Sequence, residues 1–140
     1  MTFRRMLVAI DGSEASERAY AKALELAALT GADLTALAVE GPLPVYAATI
    51  GEVDEVKREK DAFFAKLAAR ARDEADRAGV GLAVEMRAGH AAETIVRAGT
   101  ELGADLIVLG HRGHAIRDHL LGSTASRVAE RAACPVLIVR

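Results

Sequence analysis

Two hydrophobic rhythms alternate along the chain. Phe3 to Ile10, Leu34 to Val39, Leu82 to Met86, Leu106 to Leu109 and Val136 to Val139 are short, largely apolar runs. Between them, apolar residues recur every three or four positions. The short runs predict strands buried on both faces, and the longer rhythm predicts helices.

Punctuation residues support this division. Asp11-Gly12-Ser13 closes the first strand, and Ser13 is a good N-cap, with Glu14 and Glu17 in the first turn. Ala19, Ala23, Leu26 and Ala27 form a helical stripe beside Tyr20 and Leu24, and Gly31 stops it. Gly41 to Gly51 is irregular, with Pro42 and Pro44 close together. A long charged helix then runs from Glu52 to Ala78. Val53, Val56, Phe63, Leu67, Ala71 and Ala75 form its expected apolar face. Its charges are mixed in sign (Asp73 and Arg77 lie four apart), which suits a solvated surface. Ala92, Ile95, Ala98 and Leu102 mark the third helix, ended by Gly103. Ser123 to Ala133 is the fourth, with Val128, Ala129 and Ala132 expected inward.

The order is therefore βαβαβαβαβ. It predicts an α/β fold: one doubly wound, five-stranded parallel sheet with helices on both faces, Rossmann-like. A length of 140 residues suits a single domain, 1–140, and no internal repeat or linker divides it. Aromatics are only 4% of the chain, which agrees with helices rich in alanine and leucine. The net charge of −2 lacks the basic excess of nucleic-acid binders, so no nucleic-acid partner is expected. Cys134 is the one cysteine, so no intramolecular disulfide can form. No apolar stretch has the length of a membrane span, and the run at Met6 to Ile10 is too short for a signal peptide. The expected location is cytoplasmic.

Chemistry concentrates after the fourth strand. Gly110-His111-Arg112-Gly113 ends an apolar run, and Gly122-Ser123-Thr124 opens a helix. Glycines let the backbone approach an anion, and a helix N-terminus supplies unpaired N–H groups and a favourable dipole. The same residues also serve as an ordinary βα turn. In doubly wound sheets ligands bind beyond the carboxyl ends of the strands, where the winding reverses. Asp11-Gly12-Ser13, Val39-Glu40 and Gly110 to Gly113 all converge there, which favours a nucleotide. Arg112 and Arg117 can pair with phosphate. His90, His111, His114 and His119 fall within a short stretch, but no pair of them has the helical i, i+4 spacing with an acidic partner that zinc hydrolases use. No Gly-x(4)-Gly-Lys-Ser/Thr loop and no serine–histidine–acid set is present, so no catalytic residue and no protein-held metal is assigned.

Val8-Ala9-Ile10-Asp11-Gly12-Ser13, the Gly110-x-x-Gly113 and Gly122-Ser123-Thr124 segments, and Cys134-Pro135-Val136-Leu137-Ile138-Val139 together resemble the universal stress proteins, over the whole chain. One branch of that family binds ATP through Gly-x-x-Gly-x(9)-Gly-Ser/Thr; another lacks the segment. Here the second gap is eight residues rather than nine. The resemblance implies an ATP site comprising Ile10, Asp11, Val39, Leu109, Gly110, Arg112, Gly113, Gly122, Ser123 and Thr124. Asp11 would lie near ribose and phosphates, and the Val39 backbone would meet the adenine edge. Mg²⁺ or Mn²⁺ would be held through the phosphates. It also implies a homodimer through the terminal strand Val136–Val139.

Three functions follow from this reading. The first is an ATP-binding regulator of a stress response. The second is an enzyme with slow ATP hydrolysis or autophosphorylation at Ser123 or Thr124. The third is an interaction module without nucleotide, which the shortened gap would fit.

Overall fold

The computed structural model describes residues 3–41, 50–112 and 121–140. Its elements run β1 (Arg5–Ala9), α1 (Glu14–Thr30), β2 (Asp33–Glu40), α2 (Ile50–Ala78), β3 (Leu82–Ala88), α3 (Ala91–Leu102), β4 (Leu106–Gly110), α4 (Ser123–Arg131) and β5 (Val136–Val139). The strands form one parallel sheet in the order β3-β2-β1-β4-β5. The α/β fold expected from the hydrophobic rhythm is thus the fold observed. No helix among the described residues is long and apolar enough to cross a membrane.

Strand side chains alternate between faces, so the sheet has two cores. Met6, Val8, Leu34, Ala36, Leu106 and Val108 point to one face, against α1 and Ala71 and Ala75 of α2. Leu7, Leu37, Ile107 and Leu109 point to the other, against α3 and Ala125 and Val128 of α4. Both faces of β1 and β4 are covered, which is why these runs are continuously apolar rather than alternating. At the amino ends of the strands, the Asp105 carboxylate accepts the N–H groups of Arg4 (2.9 Å) and Arg5 (3.3 Å) and ties β1 to β4.

α1 presents Ala15, Ala19, Ala23 and Ala27 to the sheet, and all four are buried. Small side chains in a row of four bring the helix axis close to the strands. Gly110 completes the approach: a Cβ there would lie 2.8 Å from the carbonyl carbon and oxygen of Ala15. Tyr20 projects from the same helix, and its Oη donates to the Ala71 carbonyl of α2 at 2.5 Å. Burial, aided by Glu74, raises the Tyr20 pKa above the ordinary tyrosine value.

Two expected helical faces differ from the structure. Phe63 is 55% exposed, and Phe64 packs on the core instead. A strict four-residue row drifts by about 40° per step around a helix, so three steps from Ala75 carry Phe63 about 120° off the buried stripe. In α4, Ala125 and Val128 are buried while Ala129 is exposed. That helix also ends at Arg131, short of Ala133, because Cys134 precedes Pro135 and is driven out of helical geometry.

The tight α1 seat predicts that Gly110→Ala costs about 1–3 kcal/mol through overpacking. Gly41→Ala, where an added Cβ meets nothing within 4 Å, should be near neutral. Urea denaturation of both variants checks this. Tyr20→Phe should cost about 1 kcal/mol at neutral pH. The folded protein holds the phenol protonated, so this contribution is fully present below the unfolded tyrosine pKa of 10.0 and is lost as pH rises beyond it. Thermal midpoints measured from pH 9 to 11.5 should fall more steeply for the wild type than for Tyr20→Phe.

Candidate functional site

The strand order reverses at β1: one connection leads to β2, and the later one crosses to β4 on the opposite side. Beyond the carboxyl ends of these strands lies a crevice of about 220 Å³. Its character changes along its length. Leu37 and Val39 from β2, with Ala91 and Ile95 from α3, make one end apolar. Ile10, Asp11, Leu109 and Gly110 form the middle. Ser13 and Ser16 from α1, Arg112, and Ser123 and Thr124 from α4 make the other end polar.

The turn after β1 is held from within. The Asp11 N–H donates to Ser16 Oγ at 3.0 Å, and Asp11 Oδ1 accepts the Ser13 N–H at 2.8 Å. Ser13 Oγ accepts the Ser16 N–H at 3.2 Å, so Ser13 is the expected N-cap. Ser16 occupies the position where a capping box carries Glu or Gln. Its hydroxyl reaches back past the cap to Asp11. The connection requires Gly12 in the left-handed region, at φ +83°. Asp11 therefore acts as a turn residue and also lines the crevice.

The N-terminus of α4 is built differently. Gly122 is its N-cap, with extended backbone, and no described side chain caps it. Ser123 and Thr124 are thus the first residues of the helix, as an opening at Gly122-Ser123-Thr124 implies. An uncapped helix end presents N–H groups and positive dipole to the crevice. The Gly122 N–H donates to the His111 carbonyl at 2.7 Å, and the His111 N–H donates to Val139 at 2.9 Å. His111 thereby joins α4, β4 and β5. Its Nδ1 is buried and has no hydrogen-bond partner among the described residues.

Of the residues expected at a ligand site, Ile10, Asp11, Val39, Leu109, Gly110, Arg112, Ser123 and Thr124 line the crevice together. Gly122 is buried behind them as the α4 cap. Gly113, Arg117, His114 and His119 lie outside the described residues. Gly110 has a task beyond backbone approach to a ligand, since its missing side chain admits Ala15. Sequence reasoning missed Ser16, Leu37, Ala91 and Ile95. Ser16 carried a signal, the Ser-x-x-Ser spacing from the N-cap; the others required the strand order. Among the described residues, no group of three or more His, Cys, Asp or Glu could hold a metal ion. Cys134 lies outside the crevice, and burial, then Asp105, raises its thiol pKa and keeps it protonated.

A second hollow, of about 330 Å³, adjoins the first across Ile10, Asp11 and Val39. Phe63, Phe64, Leu67 and Met86 make it apolar, and Lys60 closes its rim by donating to the Gly41 carbonyl at 3.1 Å.

Comparison with known proteins agrees with this architecture. The model of the Universal stress protein family matches residues 2–140. Universal stress protein YxiE of Bacillus subtilis is 33% identical over 147 aligned residues, covering 99% of each chain. The structure of universal stress protein UspA from Lactobacillus plantarum superposes with a TM-score of 0.87 at 27% identity, covering 100% of this chain and 99% of that one. A universal stress protein crystallised in complex with cAMP superposes with a TM-score of 0.77 at 28% identity, covering 100% and 98%.

Proposed function

The chain belongs to the universal stress protein family, and from that premise we propose that it is an ATP-binding regulator whose single 1–140 domain reports nucleotide in a stress response. The observation that carries this reading is the gradient along the crevice, from Leu37, Val39 and Ile95 at one end to Arg112, Ser123 and Thr124 at the other. A nucleotide has the same gradient, with a flat apolar base at one end and phosphate charge at the other. The uncapped α4 N-terminus offers N–H groups where the phosphates would end. A relative in complex with cAMP shows that the family fold accepts an adenine nucleotide.

The residues present fit such a ligand. Val39 and Ile95 would enclose the base, Asp11 would meet the ribose, and Ser123, Thr124 and Arg112 would hold phosphate. Gly113 and Gly122 belong to the same proposed cradle. Mg²⁺ or Mn²⁺ would be held by the phosphates, without a dedicated protein cage. The reading is of a binder rather than a fast hydrolase: Asp11, the one carboxylate among the described residues that line the crevice, already accepts the Ser13 N–H.

Assembly follows from the sheet edge. β5 is an edge strand whose four apolar side chains are only partly buried. The Pro135 and Val139 carbonyls accept from Ile107 and His111 of the β4 side. A parallel ladder repeats every second residue, so the N–H groups of Val136 and Ile138 face outward. We propose that two copies pair through β5 as a homodimer, which closes both edges by two-fold symmetry.

Calorimetry with millimolar ATP and Mg²⁺ should show saturable binding, and its absence would overturn the nucleotide reading. The double change Ser123→Ala and Thr124→Ala should weaken ATP by about 1–2 kcal/mol. Adenosine, lacking phosphates, should lose nothing. Light scattering should give a dimer mass for the wild type and a monomer for Ile138→Pro, which removes an outward N–H. A wild type that stays monomeric at high micromolar concentration would rule out the β5 interface.

A further inference from the structure

Gly12 makes the ligand-facing turn possible, and its missing side chain leaves a volume beside that turn. At φ +83° a side chain would be strained. Glycine, however, gives up more conformational freedom on folding than any other residue. On one side the turn is held by bonds that include the Asp11 N–H to Ser16 Oγ and the Ser13 N–H to Asp11 Oδ1. On the other side lies the ring of Phe63 from α2. Its Cζ is 2.9 Å from the point where a Cβ on Gly12 would sit, and its two Cε atoms are at 3.6 and 3.9 Å. The ring occupies the volume that the missing side chain leaves.

Phe63 belongs to neither hydrophobic core. It is 55% exposed, it lies off the buried stripe of α2, and Phe64 serves the core. An exposed helix position favours a charged residue, and this chain is rich in them. A half-exposed aromatic there, seated on the one left-handed residue of the ligand-facing turn, is explained by the seat itself.

We infer that Phe63 is a positioning residue for the ligand site: it holds the Gly12 turn and, through it, the Asp11 carboxylate and the α1 N-terminus. The consequence for affinity rests on the nucleotide reading of the crevice; the restraint on the turn does not. Phe63 touches the turn from the second hollow and does not line the crevice. It therefore acts on ligand only by limiting how far Asp11 and Ser13 wander.

Two measurements separate this from a general structural role. In ligand-free protein, amide exchange by NMR should accelerate at Asp11 and Ser13 in Phe63→Ala. The expected factor is roughly three to ten, the size of ordering one flexible group. The α1 interior amides of Ala19 and Ala23 should not change. Titration with ATP and Mg²⁺ should show affinity falling by a similar factor, and Phe63→Leu, which refills part of the seat without adding an atom beyond Cζ, should recover part of both losses. Unchanged exchange at Asp11 and Ser13 would overturn the inference. So would faster exchange along all of α1, because Phe63 would then be supporting the helix as a whole. If the wild type binds no ATP, the nucleotide reading fails alone and the exchange result still decides the role of Phe63.

Discussion

A parallel sheet must carry every connection over one of its faces, and that constraint creates the site. The chain winds from β1 through β2 to β3 with α1 and α2 on one face. It then crosses beneath to β4 and β5, with α3 and α4 on the other. The two windings leave from neighbouring strands in opposite directions. No helix can cover the carboxyl ends of β1 and β4 without abandoning its own face. A crevice therefore opens there whatever the loop residues are, and the sequence decides only what lines it.

What lines it is set by how closely the helices can approach. α1 is drawn in by its alanine row and by Gly110, which places the Ser13 cap and the Ser16 hydroxyl at the mouth. α3 begins one residue after His90 and brings Ala91 and Ile95 over β2, where Ile95 is apolar because it also belongs to the core. The polarity gradient is a by-product of two helix N-termini meeting one buried flank. The same packing that stabilises the sheet sorts the crevice into an apolar and a polar end.

These causes explain what could be read in advance. Strands and helices were legible because a doubly buried sheet demands continuous apolar runs and its helices demand a period near four. Asp11, Gly110 and Ser123 were legible because turn and cap chemistry is local. The burial of Phe63 and Ala129 was misread because a list of evenly spaced apolar residues ignores the drift of a real helix. Hydroxyl side chains commonly take the N-cap position of a helix. Here Gly122 takes the position and leaves both hydroxyls inside the helix, facing the crevice. Ile95 and Leu37 were invisible as site residues because only the strand order brings them to the reversal point.

The two sheet edges differ for a physical reason that bears on the site. β3 carries Glu85 and Arg87, and Arg87 also binds Glu101 of α3 at 2.8 Å, so this edge is guarded by charge. β5 carries four apolar residues and no charge, so it lacks the device that keeps edges apart. The apolar edge is also the one tied to the crevice. His111 gives its N–H to the last residue of β5 and its carbonyl to the cap of α4. A shift at the α4 N-terminus must stretch one of these bonds or carry β5 with it. The charged edge reaches the crevice by another route, through β2 and through α3, which follows β3 and brings Ala91 and Ile95 to it. The chain thus places its unguarded edge, the N-terminus of α4 and His111, whose Nδ1 has no partner among the described residues, on one side of the reversal point.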